Sequence, residues 1–438
     1  PTPAPGAARA VAERPRFPGA LPSIWNVPHR RNPNFSGREK VLADLETALR
    51  EARCAALHGL GGVGKTQTAV EYAYRHAGEY DVVWWARAER EVTLSADLAA
   101  LAGALGLPQA QDREQAAAAR AALEWLERHD RWLLILDNAP GADALRGHLP
   151  RGGGGHALIT SRNPAWRGVG RALPLGSWTK EEGADFLLKR AGQAERAAAE
   201  ELSEALGGLP LALEQAGAYI EAKGSSFKRY LALYRERYAA LWREGQPPDY
   251  PATVATTWVV AMDAAREAEP AAGDLLALCA YLGPDDIPRA LLCEGAGKLP
   301  ASLGEALADG LRCDGVIGAL RRYSLVEARE EALWLHRLVA AVARDRLDEA
   351  ERQAWAAAAA ELLAEAFPYD SDDVRAWPAC ARLVGHALEA AGRAEALGVA
   401  REAAGRLLNQ AGLYLRARAE FAQARGCFER ALAIGERA

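Results

Sequence analysis

The stretch Gly59-Leu60-Gly61-Gly62-Val63-Gly64-Lys65-Thr66 decides the fold, because it fits the pattern G-x-x-x-x-G-K-[ST] without a mismatch. An apolar run over 54–57 precedes it and a helical pattern over 65–76 follows it, which is the strand–loop–helix context that the pattern requires. The glycines let backbone N–H groups point inward around a phosphate, and the N-terminus of the following helix adds partial positive charge. The stretch therefore predicts a phosphate-binding loop. Lys65 would reach the β- and γ-phosphate oxygens of a nucleotide, and the Thr66 hydroxyl would ligate Mg²⁺.

Asp137 is the second candidate site residue, and it directly follows an apolar run over 132–136. A buried parallel strand that ends in a carboxylate places it at the C-terminal edge of the sheet, beside the loop, where it can hold the water shell of Mg²⁺. The alternative is that Asp137 caps a following helix. The next residue, Asn138, stands where many ATPases with this loop carry a second acid, and an amide is a much weaker base. We therefore expect slow ATP hydrolysis unless another group substitutes.

Arg162 is the third candidate, at the end of the run Thr160-Ser161-Arg162. An arginine at the C-terminal end of a parallel strand, in the same sheet as the loop, is placed to bind the γ-phosphate with its forked guanidinium. The alternative is a solvent-exposed arginine at the edge of the sheet. Lys65, Asp137 and Arg162 are thus the predicted catalytic residues.

Short apolar runs alternate with helical stretches from 34 to 178, a pattern typical of a parallel sheet covered by helices on both faces. The pattern predicts an α/β P-loop NTPase domain over these residues. Residues 1–33 lack a helical period and predict an extended arm or linker, in which Trp25 is large enough to dock on a neighbouring surface. The predicted strands are 54–57, 82–85, 132–136, 157–160 and 172–175.

Helical patterns dominate the rest of the chain. Residues 179–245 predict a helical domain that is broken at Gly207-Gly208-Leu209-Pro210. Residues 246–347 combine helices with a hairpin pattern over 324–336, which predicts a winged-helix domain. Residues 348–404 predict a helical linker.

The residues from 405 to 438 follow the spacing of a tetratricopeptide repeat, with Leu408-x2-Ala411-Gly412-x2-Leu415 and then Ala424-x3-Phe428. Small residues at Gly412 and Ala424 would let two helices approach closely. The alternative is an ordinary amphipathic helical hairpin. Because one repeat cannot bury its own apolar face, we expect an array that continues further.

The composition of the 438 residues excludes several classes of protein. Lys and Arg total 53 against 58 Asp and Glu, so the net charge of -5 gives no whole-chain attraction for nucleic acid. No apolar run reaches the ~18 residues that a membrane span requires. The six cysteines occur without CxxC pairs, which is typical of reduced thiols in a cytoplasmic protein. Since Met262 is the single methionine, we expect a fragment of a longer protein.

Six motifs in order resemble the NB-ARC branch of the STAND ATPases, which includes plant disease-resistance receptors, animal apoptosome ATPases and bacterial tetratricopeptide proteins. The approach over 25–35 is similar to the bacterial subgroup in particular. Besides the phosphate-binding loop, the motifs are Asn34-Phe-Ser-Gly-Arg-Glu39, Leu136-Asp137-Asn138, Thr160-Ser161-Arg162, Gly208-Leu-Pro-Leu-Ala212 and Leu335-His-Arg-Leu-Val339.

The resemblance implies a site for ATP or ADP that extends beyond the loop. Arg38 and neighbouring backbone would hold the base, Pro210 would pack against the adenine, and His336 would contact the β-phosphate of ADP. In this chain Leu335-His336-Arg337 stands where the family has Met-His-Asp. Mg²⁺ would bind to Thr66 and Asp137. The loop contacts to the nucleotide would come from Gly59, Gly61, Gly62, Val63, Gly64, Lys65, Thr66 and Gln67.

The function that the resemblance implies is a signalling switch with slow ATPase activity, used in bacterial defence or regulation. ADP would hold the domains closed, and an unknown ligand on the C-terminal repeats would open them. ATP would then replace ADP, the protomers would self-associate, and an N-terminal effector, expected upstream of this chain, would be brought together.

Two alternatives to this switch stay open. The first is the core of a DNA-binding transcription regulator, but the candidate recognition stretch 316–323 offers only Arg321 and Arg322, so nucleic acid is not an expected partner. The second is a scaffold that binds ATP without hydrolysing it, which Asn138 keeps open.

Overall fold

The computed structural model describes residues 20–112, 114–244, 252–371 and 373–436. The chain divides into two compact units. The first contains the described residues up to Gly176 together with Ala417–Glu420, and the second contains those of Ser177–Arg416 and Phe421 onward. The predicted boundary at residues 245 and 246 lies outside the described residues, as do residues 1–19 of the predicted arm.

In the first unit, parallel strands form one sheet with the spatial order β1-β3-β4-β5-β2-β6. This confirms the predicted P-loop NTPase fold, in which each predicted run forms a strand. The strands are β1 (Ile24–Trp25), β2 (Cys54–His58), β3 (Val82–Arg87), β4 (Trp132–Ala139), β5 (His156–Ser161) and β6 (Arg171–Pro174). The helices are α1 (Glu39–Ala52), α2 (Lys65–Arg75), α3 (Glu91–Ala104) and α4 (Gln115–Arg128).

The central strand β4 is buried on both faces, which explains why its sequence is continuously apolar. Leu134 and Leu136 belong to a core cluster that also contains residues of α3 and α4. Leu133 and Ile135 point the other way, into a second cluster with residues of α1 and α2. The carboxyl end of β4, which carries Asp137, is therefore held rigidly between two cores.

The described end of the arm forms part of the sheet. Its strand β1 pairs with β3, and the Asn26 side chain continues the pairing. Asn26 Nδ2 donates to the Trp85 carbonyl over 3.0 Å, and Trp85 N–H donates to Asn26 Oδ1 over 2.5 Å. Trp25 docks edge-on against the Tyr74 ring, with 4.9 Å between the ring centroids. Residues 24 and 25 thus form an edge strand, where the sequence predicts an arm or linker. The sequence does not indicate this strand because two residues are too few to show an alternating pattern.

The second unit is mostly helical, as the sequence predicts, and the break at 207–210 falls between α6 and α7. Gly208 has φ +60°, and a Cβ there would lie 2.1 Å from the Trp178 carbonyl oxygen, so only glycine fits. The helices are α5 (Lys180–Ala191), α6 (Arg196–Ala205), α7 (Pro210–Lys223), α8 (Phe227–Glu244), α9 (Ala252–Ala268), α10 (Pro270–Cys279), α11 (Arg289–Glu294), α12 (Ala301–Ala308), α13 (Gly310–Arg322), α14 (Arg337–Asp345), α15 (Glu349–Ala366), α16 (Trp377–Leu397), α17 (Arg401–Ala417) and α18 (Phe421–Gly435).

A small antiparallel sheet, with the order β7-β9-β8 among the described residues, lies within this unit. Strands β8 (Val326–Ala328) and β9 (Ala332–Leu335) form the predicted hairpin. Strand β7 (Ile287–Pro288) pairs with β9 and was not predicted, since it is again only two residues long.

The last two helices pack through Gly412, as the repeat spacing requires. A Cβ at Gly412 would lie 2.6 Å from the Phe428 ring, so the ring occupies the space that a larger residue would need. Leu415 and Ala424 are buried at the same hairpin. The packing supports the predicted repeat, whose continuation as an array stays a prediction.

Membrane spans and disulfides are both missing from the described parts of the chain. No helix there is long and apolar enough to cross a bilayer. All six cysteines are free thiols, although the sulfur atoms of Cys293 and Cys313 lie 3.7 Å apart.

Candidate nucleotide-binding site

The phosphate-binding loop joins the carboxyl end of β2 to the first turn of α2. Positive φ angles at Gly59, Gly62 and Gly64 wind the backbone into a tight loop, a conformation that side chains disfavour. The Lys65 ammonium folds back over this loop and donates to the carbonyls of Gly59 (2.9 Å) and Leu60 (2.8 Å). Of the remaining residues predicted to contact the nucleotide, Gly61 and Val63 lie in the loop, and Thr66 and Gln67 lie in the first turn of α2.

Lys65 is a cation in an unfavourable environment. Burial lowers the pKa of its ammonium to about 8, and the nearby positive charge of Arg162 lowers it further, against a smaller opposing effect of Asp137. The three predicted catalytic residues are therefore close enough to interact electrostatically. The positive charges of Lys65 and Arg162 repel each other, and a bound phosphate group would relieve this repulsion.

Asp137 is the most buried carboxylate of the site and is held by three hydrogen bonds. Its Oδ1 accepts from the hydroxyls of Thr66 (3.0 Å) and Thr160 (2.5 Å), and its Oδ2 accepts from the Asn138 amide (3.2 Å). Burial raises its pKa overall, and the smaller opposing effects of the Thr160 hydrogen bond and of His29 offset only part of that shift. Since Asp137 lies within β4, the alternative that it caps a helix is wrong.

The donor set at this edge of the sheet fits Mg²⁺. A carboxylate and a hydroxyl oxygen, 3.0 Å apart, are the hard ligands that this cation prefers. A divalent cation would also offset the burial of the Asp137 carboxylate. Thr66 and Asp137 are thus brought together as the predicted metal ligands.

Asn138 does not present its side chain as a free water-binding group. Its φ of 62° belongs to the left-handed region, which asparagine tolerates better than most residues. The residue lies where the register between β4 and β5 shifts, and its amide turns back onto Asp137. This geometry removes the side chain from the role that an acid would have at this position.

Arg38 is buried and braces the loop. One guanidinium nitrogen, Nη2, donates to the carbonyls of Val63 (3.0 Å) and Gly176 (2.8 Å). The side chain therefore connects the phosphate-binding loop to the segment after β6. The contact between Arg38 and the base stays a prediction.

Pro210 and His336 belong to the second unit. Pro210 is the first residue of α7, where its missing N–H costs no hydrogen bond. His336 is exposed and caps α14, since its Nδ1 accepts from the Leu338 N–H over 3.2 Å. A neutral His336 must then carry its proton on Nε2, which leaves that nitrogen able to donate.

Sequence reasoning missed two residues that act on Asp137. The first is Thr160, and the signal for it in the sequence is a hydroxyl one residue before the end of the neighbouring strand β5. His29 lies in the arm, where its ring contacts Trp85 and its carbonyl accepts from the Tyr74 hydroxyl. No local pattern in the sequence indicates that the arm reaches this site.

Comparisons with known proteins match two parts of this chain to domain families. Residues 38–172 match the NB-ARC domain family, and residues 263–352 match a domain of unknown function (DUF7779). A nucleotide-binding leucine-rich repeat (NLR)-like protein of Hyaloscypha variabilis is 25% identical over 373 residues. The regulatory protein AfsR of Streptomyces griseus is 33% identical over 211 residues.

The two matches cover a larger share of this chain than of the two relatives. They include 74% and 44% of this chain but only 36% and 21% of the two relatives, so the chain spans about a third or less of their length. A crystal structure of a STAND protein with a tetratricopeptide repeat sensor from Pyrococcus horikoshii matches with a TM-score of 0.51 and 14% identity. That likeness covers 94% of this chain and 66% of the other, and it concerns the fold.

Proposed function

We propose that this chain, whose residues 38–172 match the NB-ARC domain family, is a nucleotide-dependent signalling switch of the STAND P-loop ATPase type that alternates between ADP and ATP. One observation carries the proposal: Lys65, Asp137 and Thr66 lie together at the carboxyl edge of one parallel sheet, and the exposed Arg162 is near enough to lower the pKa of Lys65. Cations for phosphate and hard oxygen ligands for Mg²⁺ thus occur side by side. Nucleoside di- and triphosphates are the ligands that require both.

In this proposal, different residues of the chain contact different parts of a bound nucleotide. The inward N–H groups of the loop and Lys65 would bind the β- and γ-phosphates, and Arg162 would stabilise charge on the γ-phosphate during transfer to water. Mg²⁺, when bound by Thr66 and Asp137, neutralises phosphate charge. Arg38 keeps the loop in shape for these contacts through its bonds to Val63 and Gly176.

Hydrolysis by this site is slow in our proposal. The Asn138 amide is bonded to Asp137 at 3.2 Å and offers no strong base to the attacking water. The same observation favours a second candidate function, a scaffold that responds to ATP without hydrolysing it. Release of phosphate at saturating ATP separates the slow ATPase from the scaffold.

The switch itself would involve the second unit. In our proposal, Pro210 packs on the adenine, the His336 Nε2 donates to the β-phosphate of ADP, and the residues over 246–347 act as a winged-helix domain. An unknown ligand on the C-terminal repeats would favour exchange of ADP for ATP, self-association and recruitment of an upstream effector, in the cytoplasm and in defence or regulation.

The proposal is tested by Lys65→Ala. This change removes one charge-assisted contact worth about 1.5–3 kcal/mol, so we expect the affinity for a fluorescent ADP to fall at least tenfold. Lys40→Ala is the matched control, because Lys40 is exposed and forms a surface ion pair with Asp44 at 3.5 Å. Equal ADP affinity in both variants, measured by calorimetry with melting temperatures alongside, would falsify nucleotide binding at this loop.

A further inference from the structure

The hydroxyl of Thr160 serves two neighbouring residues of β4 at once. Thr160 is fully buried near the end of β5. The backbone N–H of Asn138 donates to Thr160 Oγ1 over 2.9 Å, and an N–H group can only donate. The hydrogen of the hydroxyl is therefore directed to Asp137 Oδ1, 2.5 Å away. This direction suits an ionised carboxylate, which only accepts.

The need for a side-chain hydroxyl comes from an irregularity in the sheet. Leu136 pairs with Ile159 and Ala139 pairs with Ser161, so β4 contains one residue more than β5 between these pairs. The extra residue takes the Asn138 N–H out of the regular ladder, and Thr160 replaces the missing acceptor. Ser161 acts in a similar way, since its hydroxyl donates to the Ala139 carbonyl over 2.6 Å.

Of the two β5 hydroxyls at this irregularity, that of Thr160 bonds to the Asp137 carboxylate, which also accepts from the Asn138 amide. The hydroxyls of Thr160 and Thr66 both donate to Oδ1 of Asp137, at 2.5 and 3.0 Å. The Ser161 hydroxyl has its partner on the backbone instead. Without the Thr160 bond, the buried Asp137 carboxylate would be held less firmly in its orientation, and its negative charge would be less well stabilised.

We propose that Thr160 is a positioning residue of the nucleotide site, whose hydroxyl holds the Asp137 carboxylate toward Thr66 and so sets how strongly nucleotide binding depends on Mg²⁺. The inference rests on the proposed function, in which Thr66 and Asp137 bind the metal. It assigns Thr160 no contact with the nucleotide.

The test compares the affinity for a fluorescent ADP in Mg²⁺ and in EDTA, and the ratio of the two is the readout. Thr160→Val removes the hydroxyl and keeps the shape, and one bond to a charged group is worth about a tenfold change or more. We expect the ratio to fall about tenfold while the affinity in EDTA stays near that of the wild type. Thr160→Ser keeps the hydroxyl and should keep the ratio. Thr160→Ala serves as a second hydroxyl-free variant if the valine variant does not fold.

Ser161→Ala is the matched control, which tests whether Thr160 only stabilises the pairing of β4 and β5. It removes a bond at the same irregularity without touching Asp137, so we expect a lower melting temperature and an unchanged ratio. An unchanged ratio in the hydroxyl-free variants, or an equal fall in Ser161→Ala, overturns the inference. A wild type that binds ADP with no gain from Mg²⁺ overturns it as well and leaves nucleotide binding in place. Failure of the wild type to bind ADP at all overturns the proposed function too.

Discussion

At the scale of single residues, the protonation of Lys65 links nucleotide binding to pH. In the free protein, burial and Arg162 hold the pKa of its ammonium near 8. A bound phosphate would favour the charged form and raise this pKa toward the ordinary value. Binding therefore takes up a proton above pH 8. We expect the affinity for ADP to be flat below about pH 8 and to fall up to about tenfold per pH unit above it.

The measurement is a titration with fluorescent ADP between about pH 7 and 9.5 at constant ionic strength. Lys65→Arg is the control, because a guanidinium stays charged over this range and should give a flat profile even if binding is weaker. The stability of the free protein should move in the opposite direction: its depressed Lys65 pKa makes the unfolding free energy rise as the pH increases from about 8 toward 10.5. A wild-type ADP affinity that is flat to pH 9.5 contradicts the linkage.

At the scale of elements, the sequence predicts strands and helices that have a clear apolar pattern. It misses short strands and hydrogen bonds that depend on pairing with a neighbouring strand. The runs at β2 to β5 are apolar because both faces of those strands are buried, and the phosphate-binding loop has its own pattern. Strands β1 and β7 contain two residues each and exist because a neighbouring strand offers an edge. The register shift at Asn138, and with it the role of Thr160, depends on how two strands pair. The sequence shows a hydroxyl near the end of β5, but which groups it bonds becomes clear only when the two strands are paired.

The edge strand β1 gives a prediction about the arm. Asn26 makes two hydrogen bonds to the backbone of Trp85, and their loss leaves the edge of β3 partly unpaired. For Asn26→Ala we expect a loss of about 1–3 kcal/mol in unfolding free energy, and faster proteolysis within 26–33. Urea unfolding and limited proteolysis measure the two effects. Thr47→Ala is a suitable control, since its hydroxyl bonds one helical carbonyl on an exposed surface. Equal stability of the two variants would mean that the two Asn26 side-chain bonds contribute nothing to the stability of the fold.

At the scale of the whole molecule, a nucleotide switch needs contacts that exist in one nucleotide state and not in the other. The residue that the family resemblance assigns to such a contact is His336. Its surroundings exclude a buried packing role, because the side chain is exposed. It does have a local role as the cap of α14, through the 3.2 Å bond from the Leu338 N–H to Nδ1. A useful variant must therefore separate capping from phosphate binding.

His336→Ser makes this separation and His336→Ala does not. Serine is a good N-cap, so it keeps the stability of α14, whereas alanine loses about 0.5–2 kcal/mol. Serine is too short to replace the Nε2 donor, and a bond to a charged phosphate is worth about 1.5–3 kcal/mol, or about ten- to a hundredfold. We expect both variants to release fluorescent ADP faster in stopped-flow experiments, and only His336→Ala to melt at a lower temperature. If His336→Ser releases ADP at the wild-type rate, His336 is a helix cap alone, and another residue must couple the nucleotide to the switch.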